Sequence, residues 1–512
     1  MINKQISKKI SVFHGRVAPD NATIVGYGAI LDTYNLKVPL PDKLSVIGTP
    51  KGDYDKTAWK IFSSKYNPED TLYKHLVFSL KYEGVNLLIL KKLFEKLSVE
   101  DARNLFQIAP LSKYSRRLWF LYEWLLDEKL PIPDLKTGNN VKVVDEQLQF
   151  GLSNGKRSPR HRVINNLPGT KNFCPLVSKT KKLVNYLNSD LQWKNAAFLS
   201  KFNKNILYRT SAFLLLKDSK ASFSIEGEIP KSKRAAKWAN VIGQAGINKL
   251  TKKELLRLQQ LVIENSKFVK MGFREIGGFV GIHDRYSGQP IPDHISARWQ
   301  DLEILIDGLL STGEKLINSD FDPVLSAGII AYGFVFIHPF EDGNGRIHRY
   351  LVHHILAQKG FTKQGIIFPV SASMLEHITQ YRNSLEHFSS PLLDFVEWNE
   401  TKDYNIEVTN ETIDYYRYFD ATKQVEFLYD CVKDTIENII PKEIEFLLNY
   451  DKFKSFLEDE FEMPDKTVAL LTSFLEQNNG KLSRRKVEKE FSVLSKAEIN
   501  MIEKEFKKTF LD

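Results

Sequence analysis

The chain has 512 residues, room for roughly two to four domains, and its 42% hydrophobic and 12% aromatic content is enough for packed cores. Its net charge of +9 comes from 72 basic and 63 acidic residues, and its two cysteines, Cys174 and Cys431, lie too far apart for a disulfide framework or a cysteine zinc site. No apolar run approaches the ~20 residues needed to span a bilayer, and no apolar signal core follows the N-terminal Met-Ile-Asn-Lys, so a soluble, cytoplasmic protein without membrane contact is expected.

Residues 1–150 carry helical patterns, one over 87–97 and one over 114–126 that is apolar on one broad face. No catalytic constellation accompanies them, so 1–190 is expected to be an accessory domain that buttresses the core or selects partners. Within it, residues 151–182 carry Lys156, Arg157, Arg160, Arg162, Lys171, Lys179, Lys181 and Lys182 with no Asp or Glu. Eight positive charges among Gly, Ser, Asn and Pro predict a long exposed segment wrapping between domains, packed as a solvated loop on the core. Contact with an acidic partner or nucleic acid is the functional alternative.

Further on, the apolar run 212–216 leads into Ser222-Phe-Ser-Ile-Glu226-Gly227. Residues 272–292 read as a short hairpin, because Phe279, Val280 and Ile282 alternate with glycines such as Gly281 before a turn-rich stretch. The apolar run 324–337 reads as a buried helix.

Residues 338–349, His-Pro-Phe-Glu-Asp-Gly-Asn-Gly-Arg-Ile-His-Arg, concentrate the chemistry. Pro339 cannot continue the preceding helix, so His338 should sit at its end, facing outward. Gly343, Asn344 and Gly345 then open a second helix through Ile347, Leu351 and Ile355 that stops near Gly360. Its first free N–H groups form an anion site, and Arg346 and Arg349 share one face beside it. A carboxylate at Asp342 next to an anion site would be repulsive unless a divalent cation stood between it and phosphates. The implied chemistry is phosphate-ester transfer with a histidine base. His348, His353 and His354 lack a metal-binding spacing and are read as structural or surface groups.

Beyond residue 405 the pattern stays helical, over 422–440, 442–461 and from Met463-Pro464-Asp465 to Phe474. The turn at Asn478–Gly480, a serine cap at Ser483 and the basic stretch after it suggest a winged-helix-like module. It would serve DNA contact, protein docking or dimerisation into a homo-oligomer.

The 338–349 segment resembles the signature of the Fic (filamentation induced by cAMP) family, His-x-Phe-x-Asp/Glu-Gly-Asn-Gly-Arg-x-x-Arg. Every fixed position is met, at His338, Phe340, Asp342, Gly343, Asn344, Gly345, Arg346 and Arg349. The resemblance implies a mainly α fold: a helical core over 195–405 with a small β-hairpin flap, an accessory domain before it and a helical module over 406–512. It implies a protein adenylyltransferase that moves AMP from ATP to a Ser, Thr or Tyr hydroxyl of a protein substrate, or of itself. In that reading His338 takes the hydroxyl proton and Asp342 holds Mg²⁺ against the α- and β-phosphates. The Gly343–Arg346 turn cradles the phosphates and Arg349 reaches the γ-phosphate. A free histidine, with pKa ~6.5, suits a base near neutral pH, and arginine forks suit a pyrophosphate leaving group.

The same resemblance implies that the flap at Val280, Gly281 and Ile282 pins the target segment by strand addition. It also implies that Ser222, Glu226 and Gly227, within a segment 208–227, form an inhibitory pattern, Ser/Thr-x-x-x-Glu-Gly/Asn. There Glu226 would pair with Arg349 where the γ-phosphate belongs. Many family members carry a Tyr-Tyr pair in the adenine pocket; here 379–383 holds only Tyr381, which either lines that pocket or is a core or helix-surface tyrosine. Two alternatives stay open: a relative that transfers or removes another phosphate-containing group, and a non-enzymatic nucleic-acid-binding regulator. Gly345 stands where phosphoryl-transferring relatives carry a lysine, and a pure binder has no need of His338.

Overall fold

A computed structural model describes residues 5–263, 266–362 and 368–511. The N-terminal part is built on short strands: β1 (Lys8–Lys9), the hairpin β2 (Val12–Phe13) and β3 (Arg16–Val17), β4 (Thr23–Val25), β5 (Leu44–Ile47) and β6 (Trp59–Phe62). β1, β4 and β5 pair antiparallel and β5 pairs parallel with β6, with helix α1 (Gly26–Tyr34) packed against β4 and β5. This sheet is absent from the sequence expectation because its strands are two to four residues long and β5 is buried throughout. Neither feature leaves an alternating pattern to read. The helices that follow are α2 (Leu72–Tyr82), α3 (Leu87–Phe94), α4 (Val99–Gln107) and α5 (Lys113–Leu126). α3 and α5 are the two expected helices, opened by Asn86 and Ser112, whose side chains accept backbone N–H groups of their first turns.

The basic stretch keeps Lys156, Arg157, Lys171, Lys179, Lys181 and Lys182 exposed, as expected, but its backbone is more ordered than a plain loop: β7 (Val141–Lys142), β9 (Val163–Asn165) and β8 (Lys156–Ser158) form a three-stranded sheet in that order. Arg160 meets Glu123 at 2.9 Å and Asp134 at 2.5 Å while its guanidinium lies 4.7 Å from the Trp119 ring. Lys171 pairs with Asp127 and Lys182 with Asp430, each at 2.6 Å. Phe173 and Cys174 are wholly buried, and Phe173 presses so closely on Gly333 that a side chain there would overlap its ring. Helices α6 (Lys181–Asn188) and α7 (Leu191–Leu199) lead on into the core.

The core comprises α8 (Lys204–Ile225), α9 (Ser232–Gly243), α10 (Lys252–Val262), the antiparallel hairpin β10 (Phe279–His283) and β11 (Pro290–Ile295), α11 (Leu302–Ile317), α12 (Pro323–Ile337) and α13 (Asn344–Gln358). It continues through α14 (Val370–Glu376), α15 (Ile378–Leu392), the hairpin β12 (Trp398–Glu400) and β13 (Ile406–Val408), α16 (Ile413–Arg417) and α17 (Thr422–Asp434). α12 is its axis. Asp322 caps it by accepting from Val324 and Leu325 N–H, Pro323 starts it, and every residue from Val324 to Ile337 is buried. A helix apolar on all sides needs neighbours on all sides, and α11, α13 and α17 pack around it. The mainly α fold with small β elements is as expected.

The boundary expected at 405/406 does not separate two cores. α17 lies on α12, close enough that a side chain at Gly328 would overlap Val425, and one hydrophobic cluster runs from Ile6 to Ile444. The helices expected over 422–440 and 442–461 join through a π turn, Thr435–Ile439, into α18 (Ile440–Phe461). A second, smaller core begins only with Phe453 and Leu457. It is closed by α19 (Asp465–Gln477) and α21 (Lys496–Phe510), with Phe491 added just after the exposed short helix α20 (Arg484–Glu490). Among the described residues no strand follows Val408, so the expected wing is not formed, and the Ser483 side chain makes no cap bond. The C-terminal module is three helices laid on the end of α18. No helix among the described residues is long and apolar enough to cross a membrane.

Burial also sets how the fold responds to acid. It lowers the pKa of His75, His338 and His354 to about 4 and of His294 and His348 to about 3. Each is depressed, so below the unfolded value of ~6.5 the unfolded chain binds protons that the folded chain refuses. Their stabilising contribution is complete above that value and is lost as pH falls towards 4. His387, raised by its bond to Asp42, acts in the opposite sense but is a single group. The urea midpoint should therefore fall steadily between pH 6.5 and 5. A midpoint that is flat across that window would contradict the buried neutral rings.

Candidate active site

Two helix ends meet at the motif. α12 finishes at His338, whose backbone is left-handed (φ 53°, ψ 60°), a conformation that a non-glycine residue keeps only when its surroundings hold it. Its N–H donates to Phe334 O at 3.0 Å. The ring Nδ1 lies 3.1 Å from Val335 O. A carbonyl can only accept, so the proton is on Nδ1 and Nε2 carries the free lone pair. Burial, aided by Arg274, lowers the ring's pKa to about 4 against the opposing pull of the Val335 bond, Glu226 and Asp342. At neutral pH the ring is uncharged and able to accept a proton.

α13 begins at Asn344 after Gly343 (φ 96°), with no side chain capping it. Its first N–H groups are therefore open to an anion. The Asn344 side chain does not join them. Its Oδ1 accepts from Phe340 N at 3.0 Å and its Nδ2 donates to Phe340 O at 2.7 Å. This leaves only its backbone for the nucleotide contact expected of Asn344, while its amide clamps the 340–344 loop.

Asp342 is 48% exposed, and its Oδ1 accepts from Gly343 N at 2.6 Å and from Arg346 Nη2 at 2.8 Å. Oδ2 has no hydrogen-bond partner among the described residues. There is also no group of three metal-ligating side chains among them. One half-exposed carboxylate beside an anion site fits Mg²⁺ held jointly with substrate phosphates; it does not fit a closed protein cage.

The two motif arginines are both buried and both occupied. Arg349 donates from Nε to Ser222 Oγ at 2.9 Å, and from Nη2 to Ser222 O and Glu226 Oε1, each at 2.7 Å. Arg346 donates from Nη1 to Glu228 Oε1 at 2.7 Å, and Glu228 also binds Arg234 on α9. Both guanidiniums lie over the Phe223 ring, at 4.6 Å for Arg234 and 5.4 Å for Arg346. Glu228 and Arg234 were not legible in the sequence. The only local signal is the second carboxylate in Glu226-Gly227-Glu228, which by itself says nothing of a partner 118 residues away.

Glu226 caps the C-terminal end of α8, where a carboxylate is electrostatically disfavoured. It is held there by what it faces. Burial alone would raise its pKa, but Arg349 first, then Arg346 and His338, keep it below the ordinary range. Its Oε1 lies so close to Gly345 that any side chain at 345 would overlap it. Glu226 therefore stands at the open N-terminus of α13, where a phosphate would bind. Gly227 (φ 74°) lets the chain turn away immediately afterwards.

A cleft of about 380 Å³ opens over this arrangement, lined among others by Glu226, His338, Asp342, Gly345, Tyr381 and Val280. Tyr381 is buried in its wall with its hydroxyl 3.5 Å from Arg349 Nη1, so it touches the same arginine that Glu226 holds. The flap carries Val280 and Ile282 outward, 45% and 65% exposed. Among the described residues β10 pairs with β11 alone, with a register shift at Val280/Gly281. The second hairpin, unforeseen in the sequence, props it: Asn405 Nδ2 donates to Gly277 O at 2.9 Å, and the His283 ring lies 2.8 Å from Tyr404 O. His348, His353 and His354 bond Ala331 O, Asp218 and Gly246 N and are structural, as expected.

Comparison with known proteins agrees with this geometry. Residues 249–356 match the model of the Fic/DOC family. The chain carries a Fic domain. Protein adenylyltransferase Fic of Nematostella vectensis is 34% identical over 94 residues, 18% of this chain and 21% of that protein. Protein adenylyltransferase fic-1 of Caenorhabditis elegans is 30% identical over 118 residues, 23% of this chain and 21% of that one. This chain thus spans about a fifth of the length of these curated relatives. Among solved structures, a Fic family protein from Desulfovibrio desulfuricans G20 aligns with a TM-score of 0.38 at 17% identity over 64% of this chain and 86% of its own. The matched Fic segment contains the flap, α12 and the motif, whereas Glu226 and Tyr381 lie outside it. The placement of these two residues rests on the contacts described above.

Glu226→Gly should destabilise the unliganded protein by about 2–3 kcal/mol, because Arg349 would be left buried without its counter-ion while the carboxylate lost was itself partly open to the cleft. Mg²⁺-ATP should return part of that loss by binding the vacated arginine. Denaturation with and without nucleotide measures both; an unchanged midpoint in the unliganded variant would show that the pair contributes nothing.

Proposed function

We propose that this protein is an autoinhibited protein adenylyltransferase, which transfers AMP from ATP to a Ser, Thr or Tyr hydroxyl of a protein substrate. The observation that carries the reading is the facing of a neutral His338, with Nε2 free, and an uncapped α13 N-terminus that Glu226 closes by holding Arg349.

In the active arrangement Glu226 leaves and the γ-phosphate takes its place on Arg349. The Gly343–Arg346 turn then receives the remaining phosphates on its N–H groups. A target hydroxyl presented along β10 loses its proton to His338 Nε2 as its oxygen bonds to the α-phosphorus. The bond from that phosphorus to the bridging oxygen breaks, and pyrophosphate leaves against the two arginines. Mg²⁺, bound between Asp342 and the phosphates, would supply charge neutralisation there. The open β10 edge supports docking of an extended target segment, and the same edge would admit a segment of a second copy for self-modification.

The N-terminal part over 1–190 is read as a support for the core and a chooser of partners. The three-helix C-terminal module, with Arg484 and Arg485 on its short helix, is read as a docking or dimerisation element. Arg484 is already paired with Glu488 at 2.8 Å, which speaks against a dedicated nucleic-acid face there.

Label transfer decides the reaction. With α-³²P-ATP and Mg²⁺, wild type should label target or itself weakly, and Glu226→Gly strongly. With γ-³²P-ATP neither should transfer label. His338→Ala added to Glu226→Gly should reduce labelling by roughly 10²–10⁴-fold without loss of nucleotide binding, and EDTA should stop it. Transfer from the γ label would replace this reading with phosphoryl transfer, and an inactive Glu226→Gly would remove the inhibitory role.

A further inference from the structure

Arg274 lies just before the flap and is buried, yet no carboxylate is within ion-pair distance of it among the described residues. Its donors go to four backbone carbonyls instead. Nε donates to His338 O at 2.8 Å, Nη1 to Ile276 O at 2.9 Å, and Nη2 to Ala297 O and, at 3.4 Å, to Ile337 O. Two of these acceptors are the terminal carbonyls of α12, which have no partner in their own helix and attract positive charge. The other two flank the flap, Ile276 before β10 and Ala297 after β11.

The backbone reinforces the same junction. Arg274 N donates to Pro339 O at 3.0 Å, Phe273 pairs with Phe340 across an isolated bridge, and their rings stack at 5.2 Å. A buried guanidinium without a counter-ion is expensive to keep, and burial lowers its pKa to about 10, still well above neutrality. A methionine or leucine would fill the volume without that penalty. What neither could do is bind four carbonyls from three segments at once.

We propose that Arg274 is a positioning residue for the transfer reaction: its fork holds His338 in its left-handed cap and ties both ends of the flap to it, so that base and docked target strand share one frame. The inference rests on the reading of His338 as the base. It also has an electrostatic corollary. Arg274 and His294 face the His338 ring on the repelling side, and Glu226 and Asp342 on the attracting side. Removing the guanidinium charge should let the ring protonate more easily.

The test uses the full chain in the Glu226→Gly background. Arg274→Lys keeps the charge and loses the fork, whereas Arg274→Gln loses both. In each, kcat for label transfer should fall by roughly 10²-fold with KM for ATP unchanged, as for a misplaced reacting group. The His338 ring is followed by ¹³C-histidine NMR, as the signal that vanishes in His338→Ala. Its titration midpoint should stay in place in Arg274→Lys and move up in Arg274→Gln. Should Arg274→Gln fail to fold, Arg274→Lys decides: a wild-type kcat overturns the proposal, and a lowered kcat at constant KM upholds it. A rise in KM for ATP that accounts for the whole loss, or an unmoved midpoint in a folded Arg274→Gln, also overturns it. The NMR midpoint needs no transfer, so it judges Arg274 even if Glu226→Gly proves inactive and the transferase reading itself fails.

Discussion

The arrangement of this molecule turns on a buried guanidinium that must have an anion. Arg349 sits at the centre of the core, where an unpaired charge would cost several kcal/mol. In the unliganded chain Glu226 meets that need from the end of α8, with the Ser222 hydroxyl and carbonyl completing the shell. Because the carboxylate also lies against Gly345, the contact that stabilises the resting fold occupies the room a γ-phosphate would require. On the proposed reading stability and inhibition are one interaction, and a nucleotide would bind productively only by replacing it.

The surrounding contacts make that replacement costly in graded steps. Glu228 holds Arg346 and Arg234 together over Phe223, so the first motif arginine is restrained as well as the second. Tyr381 closes on Arg349 from α15. Asp218, wholly buried on α8, accepts from Ser371 N at 2.6 Å and meets the His353 ring at 2.9 Å. These bonds fix α8 to α13 and α14, so on the proposed reading release of Glu226 would be confined to the helix end. Gly227, just after the carboxylate, is a suitable point for that local change.

The sequence disclosed the candidate site far better than the architecture. His338, Asp342, Gly345, Arg346 and Arg349 fall in twelve consecutive residues with required types at required spacings, and such a pattern survives without any knowledge of packing. Glu226 was singled out only by its resemblance to the family's inhibitory pattern beside a complete motif, since a serine four residues before a glutamate is a weak signal by itself. Glu228 and Arg274 were not legible, because they act on groups 118 and 64 residues along the chain, and Arg234 enters the site only through Glu228. Asn344 shows the converse: the motif names the residue, but only the fold reveals that its amide serves the loop. The ordering of the basic stretch was hidden for the same reason: Arg160, Lys171 and Lys182 are answered by Glu123, Asp134, Asp127 and Asp430, which a local count cannot see. The N-terminal sheet escaped notice because strands of two to four residues have no period to detect.

The most direct measurement is a pair of crystal structures of wild type and Glu226→Gly, each grown with Mg²⁺ and a non-hydrolysable ATP analogue. The account predicts that in the variant the γ-phosphate lies on Arg349 and the α-phosphorus faces His338 Nε2. In wild type, Glu226 should keep Arg349 and the α-phosphate should be turned away from the ring. A wild-type complex with the γ-phosphate on Arg349, Glu226 undisplaced and the α-phosphorus facing His338 would contradict it.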